Sequence, residues 1–177
     1  MHKEGQLHPE ERAYLQEVIQ VSKPNVSLEC GTWKGWGSTL SIFKGLQHNG
    51  QGVLYSFEVY EPFYSQAVQS FADVEDSSTY LNFFLEDFIK GVKNLGLSSV
   101  DFCFFDGPED GDYSYEAFLL VDSLMEKGDM CFHDWKTEKC RRLRELVESE
   151  EFKENHEVTV LDSEVGFCHV KKLGPKT

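Results

Sequence analysis

A chain of 177 residues, 40% hydrophobic and 27% charged, has ordinary globular composition and enough length for a real core, so one domain over residues 1–177 is expected. A formal net charge of −14 argues against a nucleic-acid partner, because non-specific binding of a polyanion rests on basic surface. No apolar run is long enough to span a bilayer, and Met1-His-Lys-Glu-Gly5 lacks an apolar signal segment, so no membrane partner and a cytoplasmic location are expected.

In chain order, His8-Pro9-Glu10-Glu11 starts a helix, with Pro and acids in the first turn. Tyr14, Leu15, Val18 and Ile19 form its apolar face, and Lys23-Pro24-Asn25 ends it. Val26–Glu29 is the first strand, followed by a turn with Gly31, Gly35 and Gly37 and a helix to about Gln47. The pattern then predicts a strand over Val53–Glu58, a helix from Pro62 to about Phe71 and a surface loop over Asp73–Ser78. A strand over Thr79–Leu85 and a helix over Asp87–Leu95 follow. Val100–Asp106 is almost wholly apolar, as a strand buried on both faces should be. Tyr113–Met125 is a helix, Asp129–His133 a fifth strand, and Thr137–Phe152 a charged amphipathic helix. Glu157–Leu161 and Gly166–Lys172 close the chain without a helix between them, which predicts an antiparallel pair at one edge.

Strand and helix alternate for most of the length. The expected fold is α/β: a Rossmann-like, doubly wound, mostly parallel seven-stranded sheet with an antiparallel C-terminal strand pair. Cys30, Cys103, Cys131, Cys140 and Cys168 include no Cys-x-x-Cys pair, and their number is odd. Buried reduced thiols in a reducing cytoplasm are expected. His2, His8, His48 and His156 read as surface residues and His169 as a strand residue.

Ligands of open α/β sheets bind outside the carboxyl ends of the strands. Those ends carry Glu29, Glu58, Glu86, Asp87, Asp106 and Asp134, with His133 among them. Six acids on one rim repel one another, so they imply a cation, a hydroxyl-rich ligand, or both. Glycines at the first turn let a ligand approach the backbone. Glu29, just before that turn, disfavours a phosphate and suits a ligand with a positive end. Glu58 closes the second strand, where a carboxylate can take both hydroxyls of a ribose. Trp33, Trp36, Trp135, Tyr60 and Tyr113 fall at the same rim and suggest an apolar or aromatic acceptor pocket.

The run Glu29-Cys-Gly-Thr-Trp-Lys-Gly-Trp-Gly-Ser-Thr39 resembles the first motif of class I S-adenosylmethionine-dependent methyltransferases, in the small-molecule O-methyltransferase group. The resemblance extends through Phe57-Glu58, Leu85–Phe88, Val100–Gly107, Tyr113–Glu116 and Gly128–Asp134. It implies methyl transfer from S-adenosylmethionine to a small-molecule acceptor, at an oxygen. Gly31, Thr32, Trp33, Gly35, Gly37 and Ser38 would lie against the methionine part of the donor, with Glu29 near its amino group. Glu58 would hold the ribose, Asp87 and Phe88 would border the adenine, and Asp106 would sit near the sulfonium. Many relatives bind Mg²⁺, which places a metal on Asp106 and Asp134 with His133 beside them. Asp106, His133 and Asp112 are the catalytic candidates; His133 or Asp112 would be the base. A homodimer is compatible with the resemblance.

Two departures matter. One extra residue separates Gly35 from Ser38, so the glycine that touches the donor is open. Residues 108–111 are inserted after Asp106, and Tyr113 stands where relatives often carry histidine. A cofactor-binding module without transfer is therefore the alternative. A nicotinamide-dependent oxidoreductase is disfavoured by Glu29, which would face a pyrophosphate.

Overall fold

Each of the first five strands is separated from the next by helical chain, so the chain returns to the same end of the sheet and parallel pairing follows. A computed structural model describes residues 7–175. Met1–Gly5, including His2, lie outside the described residues. The elements are α1 (Pro9–Ser22), β1 (Val26–Cys30), α2 (Ser38–Asn49), β2 (Val53–Glu58), α3 (Glu61–Phe71), α4 (Ser77–Tyr80), β3 (Leu81–Leu85) and α5 (Phe88–Leu95). They continue as β4 (Phe102–Phe105), α6 (Gly111–Leu124), β5 (Gly128–His133), α7 (Arg141–Val147), α8 (Glu150–Lys153), β6 (His156–Leu161) and β7 (Phe167–Lys172). The sheet order is β3-β2-β1-β4-β5-β7-β6. β7 runs antiparallel to both β5 and β6, as the sequence predicts. Winding reverses between β1 and β4, which opens a crevice at their carboxyl ends.

Alternation along β4 shows how the sheet fills both faces. Phe102 and Phe104 enter a core with Leu15 and Ile19 of α1 and Ile42 and Leu46 of α2. Cys103 and Phe105 enter the opposite core with Phe88 and Val92 of α5 and Phe118 and Val121 of α6. There Phe105 stacks on Phe132 of β5 with ring centroids 4.6 Å apart. All five cysteines are free and buried. Among the described residues, no helix is long and apolar enough to cross a membrane.

Local chemistry moves several boundaries. The expected helix over Thr137–Phe152 is broken into a 3₁₀ turn (Glu138–Cys140), α7 and α8. Ser149 caps α8 by accepting from the Phe152 N–H, so the chain restarts there instead of continuing. β3 begins at Leu81 because Ser77–Tyr80 form one helical turn first, which also shortens the expected loop. α6 begins at Gly111, where Asp110 caps it by accepting from the N–H groups of Asp112 and Tyr113. The inserted residues thus build a helix start. His156 is not a surface residue: it stacks on Phe152 at 4.0 Å and meets Asp122. Trp135 is also withdrawn from the rim; it is 5% exposed and packs on Phe132.

Helices α1 and α2 meet at Gly45, where an added Cβ would lie 2.5 Å from Ile19 Cγ2 and 3.3 Å from the Gln16 carbonyl oxygen. Overpacking of this kind costs about 1–3 kcal/mol, against up to about 1 kcal/mol gained from replacing a helical glycine. Gly45→Ala should lower the urea midpoint without changing the slope of the transition.

Candidate functional site

The glycine turn after β1 is held from three sides. Gly31 donates to the Phe57 carbonyl, and Asp106 N–H donates to Cys30. Gly31 has φ +92°, and a Cβ there would sit 2.2 Å from the Asp106 carbonyl oxygen, so only glycine lets β1 and β4 end this close together. Beneath the turn, Glu29 is fully buried. It accepts from Ser38 Oγ (2.6 Å), Thr39 Oγ1 (2.8 Å) and Ser56 Oγ (2.5 Å). Thr32 Oγ1 meets Ser56 Oγ and extends the network. Burial outweighs these three donors and pushes the Glu29 carboxyl up to about 7.

A cleft of about 430 Å³ opens above the turn. Gly31, Trp33, Glu58, Tyr60, Phe63, Asp87, Phe88, Asp106 and Tyr113 line it, together with Glu86. A larger hollow of about 600 Å³ lies at the opposite ends of the strands, around Lys23, Asp101 and Lys127, away from the converging acids. Glu58 is locked in place by the N–H groups of Trp33 (2.8 Å), Val59 (3.0 Å) and Tyr60 (2.9 Å). Its hold on Trp33 sustains a left-handed backbone (φ +49°) that a bulky residue rarely adopts. Asp87 caps α5 with one oxygen and accepts from Tyr113 Oη (2.7 Å) with the other, which joins two walls of the cleft. Desolvation and the Asp87 carboxylate raise the Tyr113 phenol well above its usual range.

Of the expected donor contacts, Gly31, Trp33, Glu58, Asp87, Phe88 and Asp106 line the cleft. Thr32, Ser38 and Glu29 do not: they are buried under the turn in one hydroxyl–carboxylate network. Gly35 faces Phe71 and Ala67 of α3, and Gly37 caps α2. Gly31 is therefore the glycine at the cleft, and the extra residue is absorbed behind it. Trp36 stacks on Phe71, outside the cleft. Asp112 is not among the cleft-lining residues: it is exposed in the first turn of α6 and pairs with Arg142 at 2.7 Å.

Asp106, His133 and Asp134 converge as expected, with ligand atoms within 4.8 Å of one another. The sequence reading missed what lies between them. The Lys139 ammonium is 2.7 Å from Asp106 Oδ1 and 2.6 Å from Asp134 Oδ2, on a residue only 3% exposed. His133 Nδ1 is 3.3 Å from the other oxygen of each carboxylate. The four groups alternate in charge around a ring. Glu11 of α1, fully buried, approaches His133 Nε2 at 3.6 Å and accepts from Ser163 and from His8 N–H. Burial would lower the His133 pKa, but Asp106, Glu11 and Asp134 push it up to about 10. Burial would raise Asp106, but His133 and Lys139 hold it below the usual carboxylate range. Neither residue was legible in sequence: Lys139 sits in a stretch that reads as a charged amphipathic helix, and Glu11 reads as an ordinary first-turn acid.

The family model described as a methyltransferase domain matches residues 28–135. No curated protein matches the chain. Among solved structures, an O-methyltransferase from Bacillus cereus in complex with SAH superposes with TM-score 0.78 at 18% identity, over 96% of this chain and 84% of that one. The O-methyltransferase TomG from Streptomyces achromogenes, in complex with SAM, gives TM-score 0.78 at 15% identity, over 95% and 82%. A SAH-bound methyltransferase from Podospora anserina gives 0.73 at 14%, over 94% and 79%. At these identities the likeness is one of fold.

The Glu29 network has a pH signature. A carboxyl whose folded pKa lies above its unfolded value of 4.5 binds more protons when folded, so stability falls as pH rises from about 4.5 through about 7. Glu29→Gln should flatten that part of the profile, read from denaturant midpoints at pH 5 and pH 7.5.

Proposed function

The chain belongs to the methyltransferase-domain family, and from that premise we propose that it transfers a methyl group from S-adenosylmethionine to an oxygen of a small molecule. The observation that carries the reading is the lining of the cleft: four carboxylates, Glu58, Glu86, Asp87 and Asp106, and no cationic side chain. Such a site disfavours phosphates and favours a sulfonium cation bearing a ribose.

The bound donor would supply an activated methyl on a positive sulfur, so the protein's task is alignment and management of one proton. Gly31 and Trp33 form the wall for its methionine part. Glu58, fixed by three N–H groups, keeps one lone pair, on Oε2, for a ribose hydroxyl. Asp87 and Phe88 border the adenine. Glu29 acts indirectly, by tying the turn to α2 and β2. Asp106 faces the cleft with a partly exposed carboxylate, 24% accessible, and is placed to accept a hydrogen bond from an acceptor hydroxyl. His133, kept protonated by its carboxylate neighbours, is a poor base. The aromatic side of the cleft, Trp33, Tyr60 and Phe63, suits an apolar or aromatic acceptor.

The Mg²⁺ expected on Asp106, Asp134 and His133 fits this residue set poorly, because an ammonium already bridges the two carboxylates. The reading is therefore metal-free. One domain, residues 1–177, carries it, without a nucleic-acid or membrane partner. Five free buried thiols suit a reducing compartment such as the cytoplasm.

Titration calorimetry with S-adenosylhomocysteine tests the donor assignment. The wild-type chain should bind, and Glu58→Gln should bind about tenfold or more weakly, because hydrogen bonds to a charged acceptor are worth about 1.5–3 kcal/mol. No binding by wild-type protein would overturn the reading. Binding with no label transfer from methyl-labelled donor to a panel of hydroxyl acceptors would favour the cofactor-binding module instead.

A further inference from the structure

In the cleft read as a methyl-transfer site, we propose that the Lys139 ammonium is the resident cation: it stands where a divalent ion would bridge Asp106 and Asp134, and the site takes up no metal.

The distances support replacement over coexistence. A hard divalent ion that bridges two carboxylates needs their oxygens about 2.0–2.6 Å from itself. Here the facing oxygens, Asp106 Oδ1 and Asp134 Oδ2, are 2.7 and 2.6 Å from a nitrogen that donates to both. The remaining oxygen of each carboxylate faces His133 Nδ1 at 3.3 Å. An incoming ion would have to displace a cation to reach either acid.

Displacement is opposed by the way Lys139 enters. Asp134 takes a left-handed backbone (φ +54°), and its carbonyl accepts from Thr137 N–H at 2.9 Å, which folds the chain back over the end of β5. Arg144 locks this return by donating to the carbonyls of Trp135 and Thr137. The 3₁₀ turn then places buried Lys139 beside a small cavity that it lines with Cys30, Phe105, Tyr113 and Phe132. Glu109, 64% exposed, stands 3.8 Å off as the only further carboxylate within 4 Å of the ammonium among the described residues. Leaving Asp106 and Asp134 would trade two short, desolvated ion pairs for one solvated one. The Lys139 ammonium reaches the cleft's charged groups through Asp106, so it is a positioning residue. It fixes the orientation and the negative charge of the carboxylate that faces the acceptor.

The test is Mn²⁺ binding by the full chain, followed by electron paramagnetic resonance, with S-adenosylhomocysteine affinity measured on the same samples. Wild-type protein should show no saturable Mn²⁺ site at millimolar ion. Lys139→Ala, and Lys139→Gln as a variant that keeps most of the stem, should gain a site that saturates at ion concentrations about tenfold or more below that limit. Asp134→Asn added to either should remove it. A stoichiometric Mn²⁺ site in the wild-type chain that is lost in Asp106→Asn overturns the proposal, whether or not the lysine variants fold. So does a folded Lys139→Ala or Lys139→Gln that gains nothing. Failure of the same wild-type sample to bind S-adenosylhomocysteine would remove the methyl-transfer reading and leave the cation assignment standing.

Discussion

Glu29 has no access to solvent and gives its two oxygens to three hydroxyls, two from the first turn of α2 and one from β2. The partners belong to two parts of the cleft's foundation. Ser38 and Thr39 fix where α2 starts; Ser56, two residues before Glu58, fixes β2 against β1. The glycine turn is stretched between these points, and Gly31 can then press against the end of β4. A carboxylate shared among hydroxyls therefore sets the spacing of the strand ends. The cost is a buried acid whose ionisation is disfavoured near neutral pH. Strain is stored above it as well, in the left-handed Trp33 that Glu58 restrains.

Charge is arranged in two tiers. The charged side chains that line the cleft are all acids, which leaves its potential negative. Just below, Asp106 is shared with a closed set of alternating charges formed by Lys139, Asp134 and His133, with Glu11 behind. Asp106 is the one residue in both, and His133 and Lys139 keep its carboxylate ionised against the burial that would otherwise raise its pKa.

The sheet was legible because its strands carry period-two or wholly apolar patterns and its helices carry period-three-to-four faces. These signals are local, and each predicted strand is present. The antiparallel final pair followed from a missing helix between Leu161 and Phe167. The site was legible where it depends on strand ends: Gly31, Glu58, Asp87 and Asp106 all reach one cleft. It was not legible where residues return to the strand ends from elsewhere. Lys139 arrives through a backbone turn at Asp134 that no periodicity announces. Glu11 arrives from a helix whose docking on β5 is a tertiary fact. Thr32, Ser38 and Glu29 sit in a motif at the right place, but burial decides that they face one another and not a ligand. The place of Asp112 depends on the inserted residues before it: Asp110 makes them a helix start, and Asp112 pairs with Arg142 at the surface.

The five free thiols are distributed one to each of β1, β4, β5, the 3₁₀ turn after β5, and β7, and all are buried. Desolvation raises every one of them, Cys140 to about 12, so none presents a thiolate to solvent in the folded state. Alkylation of this protein then requires that an element open first. With one sulfur on each of the central strands and one beside Lys139, the order in which the five acquire label is a direct record of which parts of the sheet open, and at what free energy.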